Sequence, residues 1–347
     1  MSRGDVSNFT KKGFYIEREL DPVCWREMAS TNPSANIFHT PEMFRVFEEA
    51  SRHYPACWAV VDGSGYPLAL FLPVRVSILD GAFQRLSTRA VSYGGALWDP
   101  SDEGRRALAC LLREYKHHGI DAAMFTELRN HTDTAEIQQV LEESGFAFEN
   151  HLNYLVDLTQ SEDELWRRIS RSGRRSIRVA EKKGVQIEDV INPEQVSEAY
   201  AILRAIYSRV NVPLPDQSLF EAAFRELHPK GMLKLTLARI DGRAIATVFN
   251  LIYKDKLYSW YGGSKRTIEP YFAIELLDWN AMRWAKEQGI GVFDFGGAGK
   301  PEESYGPRDY KAKFDGELVN YGRNVHVHAP RMLRVSQFSY QLMRKFL

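Results

Sequence analysis

The chain contains the same series of features twice. In each copy an Asp-Gly turn joins two apolar strands, a Tyr-Gly-Gly follows, and then come a helical stretch, a glycine and a further strand. The first copy runs from the Tyr-Gly-Gly at Tyr93 to the glycine at Gly119, and the second from Tyr261 to Gly289. Two such modules predict two similar α/β domains, and ligand sites favour the cleft between domains.

Length and charge narrow the class of protein. A chain of 347 residues is expected to form about two domains, each with its own core. Because 45 basic residues balance 45 acidic ones, no overall field draws the chain to DNA or to anionic lipid, and any attraction to phosphate must be local. The three cysteines lack metal-ligand spacing, so we expect no metal site. The N-terminus has no apolar signal segment, which favours a cytoplasmic protein.

The domain boundaries follow from the repeat. We place the first domain at residues 13–150 and the second, with the donor and catalytic site, at 151–329. Residues 330–347 form a basic, apolar tail that is expected to be helical. Packing of this tail on the protein body is favoured over peripheral contact with a membrane surface.

The spacing of apolar residues predicts the main elements. In the first domain a helix over 101–118 places four large side chains on one face: Leu108, Leu111, Leu112 and Tyr115. In the second domain we predict helices over 193–210, 216–227 and 271–288, and strands over 233–240, 244–252, 256–261 and 292–295. A polar loop is expected over 296–308.

The clearest helix is predicted from Ser161 to Lys183. Ser161 and Glu164 form a capping box at its start, and an apolar residue recurs every three or four positions after it. Gly173 lies in that stripe and weakens the helix by about 1 kcal/mol relative to alanine. This glycine marks either a break in the helix or a close approach of another backbone.

The polar side of this helix is strongly basic. One stripe of five residues steps by four, three, four and four positions: Arg167, Arg171, Arg174, Arg178 and Lys182. Guanidinium groups bind phosphates and carboxylates through two hydrogen bonds, which predicts an anion-binding wall for a phosphorylated substrate. A solvated charged face is an equally good explanation of the stripe.

A second anion site is predicted before the helix at Tyr271. The loop that enters this helix carries Lys265 and Arg266, and the N–H groups at a helix N-terminus attract anions. The matching loop of the first copy is acidic instead, with Asp99, Asp102 and Glu103, and would repel phosphate. The second copy is therefore the expected donor site, although an ordinary surface turn also fits.

Two other motifs resemble a nucleotide-binding loop and a metal site, but each lacks a residue that such a site needs. The stretch GGAGKP at 296–301 suggests a phosphate loop, but Asp294 stands where that loop needs glycine and Pro301 where it needs Ser or Thr, so a nucleoside triphosphatase is rejected. His326 and His328 alternate on one strand, and the sequence offers them no third ligand for a metal ion.

Several motifs together resemble a known family. The stretch WRRISRSGRRSIRVAEKKGV at 166–185 resembles the helix that opens the second domain of the FemAB-like, peptidoglycan-bridge aminoacyltransferases. YSWYGGS, VFDFGG and RDYKAKFDG resemble later motifs of that family in the same order. The resemblance covers about residues 13–330. It implies two tandem GNAT-like domains that transfer an aminoacyl or acyl group to an amine of a phosphorylated cell-envelope precursor, either a small molecule or lipid-linked.

The resemblance also assigns residues. An aromatic-lysine pair of the family lies in the catalytic cleft and corresponds here to Tyr310-Lys311, although the family usually has Phe-Lys. Three arginines are the candidates to hold the acceptor phosphate: Arg171, Arg174 and Arg178. Five further residues are candidates for substrate binding: Tyr261, Lys265, Arg266, Asp294 and Lys313. Lys311 would stabilise the tetrahedral oxyanion, an effect of about 3–4 kcal/mol, and the hydroxyl of Tyr310 would relay a proton.

The sequence does not decide between the two candidate donor substrates. The long helical insertion of some tRNA-using members is absent, and so is the acetyl-CoA signature of ordinary GNAT enzymes. We expect no tightly bound cofactor, with either the 3′ end of aminoacyl-tRNA or acyl-CoA as donor substrate. The alternatives are an acyl-CoA-dependent N-acyltransferase of polysaccharide biosynthesis, or a non-catalytic protein that binds a phosphorylated glycan or RNA.

Overall fold

The computed structural model describes residues 13–77, 87–118, 123–265 and 271–334. The chain forms two compact units. Unit 1 comprises residues 1–150 and 321–347, and unit 2 comprises residues 151–320. The return of the chain to unit 1 at residue 321 differs from the expected boundary at 329.

Unit 1 contains two sheets, and its described residues before 151 form four α-helices. Its strands are β1 (Tyr15–Glu17), β2 (His53–Pro55), β3 (Trp58–Val61), β4 (Pro67–Phe71), β5 (Val74–Val76), β6 (Arg89–Ser92), β7 (Ala96–Trp98), β8 (Phe125–Arg129) and β9 (Ala147–Glu149). Its helices are α1 (Pro22–Thr31), α2 (Pro41–Glu49), α3 (Asp102–His118) and α4 (Gln138–Glu143).

Helix α3 forms where the apolar spacing predicts it. The four side chains assigned to its inner face are at most 1% exposed, and they pack against Trp58, Phe71 and Leu128 of the neighbouring strands. Apolar burial of this kind contributes about 25 cal/mol for each Å² removed from water, so this face holds the helix on the sheets.

Unit 2 is built on one seven-stranded sheet. Its elements in chain order are β10 (Asn153–Asp157), α5 (Glu162–Arg168), α6 (Arg171–Lys182), β11 (Gln186–Asp189), α7 (Glu194–Arg209), α8 (Gln217–Leu227), β12 (Leu233–Ile240), β13 (Arg243–Tyr253), β14 (Lys256–Ser264), α9 (Ala273–Glu287), β15 (Val292–Gly297), α10 (Gly306–Lys311) and β16 (Glu317–Val319). The strand order is β11-β12-β13-β14-β15-β10-β16. All the helices and strands predicted for 193–295 are present, with ends that differ by at most three residues.

The last strand, β17 (Arg323–Val327), belongs to unit 1. It pairs antiparallel with β8 on one side and with β9 on the other. The sheets of unit 1 then have the orders β1-β3-β4-β7 and β2-β5-β6-β8-β17-β9. Pairing between strands so distant along the chain explains why residues 321–329 lie with unit 1 rather than with the second domain.

Strands β14 and β15 separate in the middle of the sheet. They pair in parallel only from Lys256 opposite Val292 to Tyr258 opposite Asp294. Beyond that point β14 continues to Ser264, paired with β13. Among the described residues the two strands therefore leave a gap beyond Tyr258, and helix α9 lies between them in the chain.

The single helix predicted over 161–183 is two helices. Helix α5 ends at Arg168, and Ser170 begins α6 by accepting a hydrogen bond from the N–H of Gly173 at 3.1 Å. The break between the helices precedes Gly173. At Gly173 itself, the side chains of Ile169 and Lys313 lie so close that a larger residue would meet them. A Cβ at this position would lie 2.7 Å from Cγ2 of Ile169 and 3.4 Å from Cβ of Lys313.

The C-terminal tail is described only at its start. Residues 330–334 are helical, and the rest of the predicted tail helix lies outside the described residues. Within the described ranges, no helix has the length and apolar character needed to cross a membrane.

Candidate active site

The predicted Tyr310-Lys311 pair lies at the end of the short helix α10. Residues 296–308 were expected to be a loop, but the last three of them already belong to this helix, which begins at Gly306 with Pro307 in its first turn. Proline is favourable there because the first N–H groups of a helix need no partner within it. Helix α10 is followed by a 3₁₀ turn whose Phe314 is 2% exposed and anchors the segment in the core of unit 2.

Lys311 is fixed by backbone carbonyls at the end of β15. Its Nζ donates to the carbonyl oxygen of Phe295 at 2.6 Å and to that of Gly297 at 2.7 Å. Between them Gly296 has a φ of 70°, which glycine adopts without strain, and this conformation places both carbonyls near one point. An ammonium group has three N–H donors, and the described residues occupy two of those of Lys311, which leaves one for a ligand.

Burial sets the charge of Lys311. Removal of the ammonium from water lowers the pKa of Lys311 to about 8, and the carboxylates of Asp294 and Asp278 oppose this change. The group therefore remains mostly protonated at pH 7 and loses its proton more readily than a lysine in water. A charged donor in a site of low dielectric interacts strongly with a developing oxyanion.

Tyr310 donates a hydrogen bond to a buried carboxyl group. Its hydroxyl lies 2.5 Å from Oδ2 of Asp278 on α9. Its ring packs edge-on against Phe314 with centroids 5.9 Å apart, and Nζ of Lys313 lies 5.1 Å above it. Burial and the nearby carboxylates raise the pKa of Tyr310 well above its usual value, so the hydroxyl keeps its proton at neutral pH.

Asp278 is a functional candidate that the sequence analysis missed. Asp278 is 2% exposed, and its Oδ1 has no hydrogen-bond partner among the described residues. Burial raises the pKa of Asp278 to about 7, while the hydrogen bond from Tyr310 acts in the opposite direction. A carboxyl group that titrates near neutral pH can accept a proton and release it again during turnover.

A second carboxyl group of α9 anchors the same segment. Glu275 is 5% exposed and accepts a hydrogen bond from Nζ of Lys313 at 2.9 Å. Glu275 and Asp278 are three residues apart and therefore lie on one side of the helix, next to Leu277, which is 1% exposed. Two acids on the apolar face of a helix were the available sequence signal for this site.

Asp294 belongs to β15, the strand whose end binds Lys311. It is 1% exposed, and its Oδ1 accepts a hydrogen bond from the N–H of Gly296 at 2.7 Å. The bond supports the turn that presents the two carbonyls to Lys311, and the negative charge favours the ammonium form of that lysine. The contacts indicate a positioning role for Asp294, while direct substrate binding by this residue stays a prediction.

The predicted basic stripe is divided between two helices. Its first residue, Arg167, lies on α5, and the other four lie on α6, where the three arginines have different surroundings. Arg174 uses Nη1 to donate to the carbonyls of Arg167 and Ile169, both at 2.5 Å, and so closes the end of α5. Arg178 is exposed and lies 5.3 Å above the ring of Trp166. Arg171, at the start of α6, is exposed.

The start of α6 meets the segment that carries Lys311. The N–H of Ser170 donates to the carbonyl of Lys313 at 2.7 Å, and Gly173 allows the close approach of Lys313 described above. The structure therefore brings together the beginning of the basic helix and the Tyr310-Lys311 segment within unit 2. Phosphate binding by Arg171, Arg174 and Arg178 stays a prediction.

Of the three candidates for the donor site, Tyr261 belongs to β14 and Lys265 directly follows this strand. Tyr261 belongs to an aromatic cluster, with ring centroids 5.0 Å from both Phe220 and Trp260. Lys265 donates to the carbonyl of Ala244 at 3.2 Å. Arg266 lies outside the described residues. The roles proposed for these three residues stay predictions.

Comparisons of the sequence and of the structure with known proteins both point to a GNAT-like fold. Residues 167–312 match the family described as an acetyltransferase (GNAT) domain. The crystal structure of FemX aligns with a TM-score of 0.69 at 16% identity, covering 93% of this chain and 98% of that chain. No curated protein matches the chain significantly.

Two further solved structures have the same fold. The C-terminal domain of a putative lysylphosphatidylglycerol synthetase from Agrobacterium fabrum aligns with a TM-score of 0.56 at 14% identity, covering 92% of this chain and 95% of that chain. A tandem GNAT protein from the clavulanic acid biosynthesis pathway aligns with a TM-score of 0.56 at 11% identity, covering 91% and 99%. These likenesses confirm the predicted fold of two tandem GNAT-like domains and its resemblance to FemAB-like proteins.

Proposed function

We propose that this protein, an acyltransferase whose residues 167–312 match a GNAT acetyltransferase domain and whose chain has the fold of FemX, transfers an acyl or aminoacyl group to an amine. The observation that carries the proposal is the buried group formed by Lys311, Tyr310 and Asp278 beside the gap between β14 and β15. This group supplies a charged donor, a hydroxyl and a carboxyl that titrates near neutral pH.

The reaction is an aminolysis of an ester or thioester. The amine nitrogen attacks the acyl carbon, a C–N bond forms, and the carbonyl oxygen becomes an oxyanion. The remaining N–H of Lys311 would stabilise that oxyanion, since its other two are already fixed on carbonyls. A positioned donor of this kind lowers the barrier by about 3–4 kcal/mol. The C–O or C–S bond then breaks, and the leaving group takes a proton.

The attacking amine must also lose a proton. Tyrosine alone is a poor base at neutral pH, but Tyr310 already donates to Asp278. The hydroxyl oxygen can take the proton of the amine as it passes its own proton to Oδ2 of Asp278. The carboxyl then returns the proton toward the leaving group, so no net charge stays in the site.

Two observations support acyl-CoA as the donor. Residues 167–312 match a GNAT acetyltransferase domain, which favours acyl-CoA over aminoacyl-tRNA. β14 extends beyond its pairing with β15, which ends at Tyr258, and an extended chain such as the arm of a CoA thioester could lie along this part of the strand. Aminoacyl-tRNA remains the alternative donor, with its 3′ end at the same gap.

For the acceptor we propose an amine on a phosphorylated precursor of the cell envelope or of another polysaccharide. The basic face of α6 supports this proposal. Exposed Arg171, Arg175 and Arg178 lie on the helix whose N-terminus contacts the Lys311 segment. Because Arg174 is engaged by the end of α5, we assign phosphate binding to the exposed arginines Arg171 and Arg178.

The test separates donors and functions in one assay. The purified protein is incubated with acyl-CoA or with charged tRNA, each with a panel of phosphorylated and free amines, and new amides are detected by mass. Amide from acyl-CoA alone supports the proposal and excludes the tRNA donor, and amide from charged tRNA alone reverses the donor assignment. The absence of amide from both donors refutes acyl transfer and favours a protein that binds phosphorylated glycan or RNA.

A further inference from the structure

Unit 1 contains a cavity beside the C-terminal end of α3. The cavity has a volume of about 200 Å³. The side chains that line it come from β2, β5, β6, α3 and the segment before α1, and they include Arg18, Tyr54, Arg75, Ala90, Tyr115 and His118. These residues all belong to unit 1, whereas the residues assigned to acyl transfer belong to unit 2. The cavity therefore shares no residue with the candidate active site.

The pairing of the strands explains why a cavity forms here. Arg75 on β5 lies opposite Tyr54 on β2 and opposite Ala90 on β6. Ala90 in turn lies opposite Thr126 on β8, whose Oγ1 is 2.8 Å from the hydroxyl of Tyr115 on α3. Residues that lie opposite each other point to the same face of a sheet, so these side chains form one row that faces α3. Ala90 contributes only a methyl group to this row, which leaves space between its larger neighbours.

Arg75 is a half-buried arginine without a counter-ion. Among the described residues it forms no hydrogen bond and no ion pair, and its Cζ lies 4.8 Å from the ring centroid of Tyr54. The ring attracts the positive charge but leaves the five N–H groups of the guanidinium without an acceptor. A charged donor that leaves water without gaining an acceptor costs free energy. An anion in the cavity would supply the missing acceptor.

Two further basic side chains line the cavity, and each already has a partner. Nε of Arg18 donates to a backbone carbonyl at 3.0 Å, and its guanidinium lies 3.4 Å above the ring of Trp58. Nε2 of His118 lies 3.6 Å from a carboxylate oxygen of Glu114 on the same helix. None of the described residues that line the cavity is acidic. Arg75 is therefore the group that would bind the negative charge of a ligand.

The rest of the lining is small and apolar. Two prolines and three alanines supply most of it, and the ring of Tyr54, which is 48% exposed, lies at its edge. An apolar cavity of about 150 Å³ holds a benzene ring, so this cavity has room for a ring with one small substituent. A carboxylate accepts two parallel hydrogen bonds from a single guanidinium group. One unpaired arginine in an apolar lining thus favours a monocarboxylate over a phosphate, whose additional oxygens would lack donors.

We infer that this cavity of unit 1 binds a small carboxylate with a planar apolar body. The carboxylate group binds the guanidinium of Arg75, and the apolar body packs against Tyr54 and Ala90. Acyl transfer by unit 2 does not require this ligand, so the cavity is a second binding site of the chain. Benzoate has the size and the charge that the cavity accepts, and it serves as the probe.

The experiment measures the affinity of the full-length protein for benzoate, benzamide and inorganic phosphate by NMR titration. The wild type is expected to bind benzoate, and to bind benzamide at least tenfold more weakly because benzamide has nearly the same shape without the charge. Arg75→Gln should weaken the binding of benzoate more than tenfold, since a hydrogen bond to a charged group is lost. Arg113→Gln, which removes an exposed charge from α3 of the same unit, is the matched control and should bind benzoate as the wild type does.

A second variant tests the cavity independently of its charge. Ala90→Leu fills the space beside Arg75 and should abolish the binding of benzoate, while urea unfolding verifies that the variant is folded. The inference is overturned if the wild type binds no benzoate, if benzoate and benzamide bind equally, or if Arg75→Gln or a folded Ala90→Leu binds benzoate like the wild type. Binding of phosphate without benzoate would also overturn it. Lys311→Ala should leave benzoate binding unchanged, so failure of this site is distinguishable from failure of the acyl-transfer proposal.

Discussion

Replacement of Asp278 by asparagine should make the protein more stable in alkaline solution and less active. The structure raises the pKa of this carboxyl from 3.8 to about 7. Between these two values the folded state holds a proton that the unfolded state has released, so stability falls as the pH rises through this range. Three pKa units at 1.36 kcal/mol each correspond to about 4 kcal/mol, an upper estimate of the loss above pH 7.

Asparagine has nearly the same shape as the protonated carboxyl and cannot ionise. It can still accept the hydrogen bond from Tyr310 through its amide oxygen. Asp278→Asn should therefore match the wild type near pH 4 and exceed it in unfolding free energy by up to about 4 kcal/mol near pH 8. Activity should fall at every pH because the proton acceptor is lost, and the acid limb of the wild-type pH–rate profile near pH 7 should disappear.

The assay is urea unfolding at several pH values between 4 and 8.5, with kcat/KM measured on the same samples. Glu287→Gln, an exposed acid at the end of the same helix, is the matched control and should follow the wild-type curve. Parallel stability curves for Asp278→Asn and the wild type would refute the buried, titrating carboxyl. Unchanged activity would refute its role in proton transfer.

Three further substitutions test the surroundings of the site. Tyr310→Phe removes the hydroxyl that bonds Asp278 and should lower kcat about 100-fold with little change in KM, measured by steady-state kinetics; an unchanged kcat contradicts the relay. Gly173→Ala places a Cβ 2.7 Å from Ile169 and should cost about 1–3 kcal/mol in thermal unfolding; a gain in stability would mean that helix propensity dominates there. Arg174→Ala uncaps α5 and should cost about 1 kcal/mol in urea unfolding; no loss would show that water replaces it.

The repeat and the apolar spacing predicted most of the fold. Strand β12 has the predicted bounds, 233–240, and α9 covers 273–287 of the helix predicted over 271–288. These elements follow from local patterns, since a helix or strand buries one side at a fixed period. The pairing of β17 with β8 depends on residues almost 200 positions apart, which no local pattern encodes.

The candidate site was predicted in part. The motif order pointed to Tyr310 and Lys311, and the structure places them beside a buried carboxyl. Asp278 was missed because an acid among apolar residues normally indicates a solvated position. The break at Ile169 was missed because the apolar spacing continues across it without a change of period, and only the cap at Ser170 marks it.

The rate of acyl transfer by Lys311→Ala tests the central claim most directly. Single-turnover transfer from a saturating donor isolates the chemical step, and the dissociation constants of donor and acceptor are measured in parallel. The account predicts a rate reduced about 100- to 1000-fold, equivalent to about 3–4 kcal/mol, with both dissociation constants within twofold of the wild type. A wild-type rate, or a loss confined to substrate affinity, would contradict it.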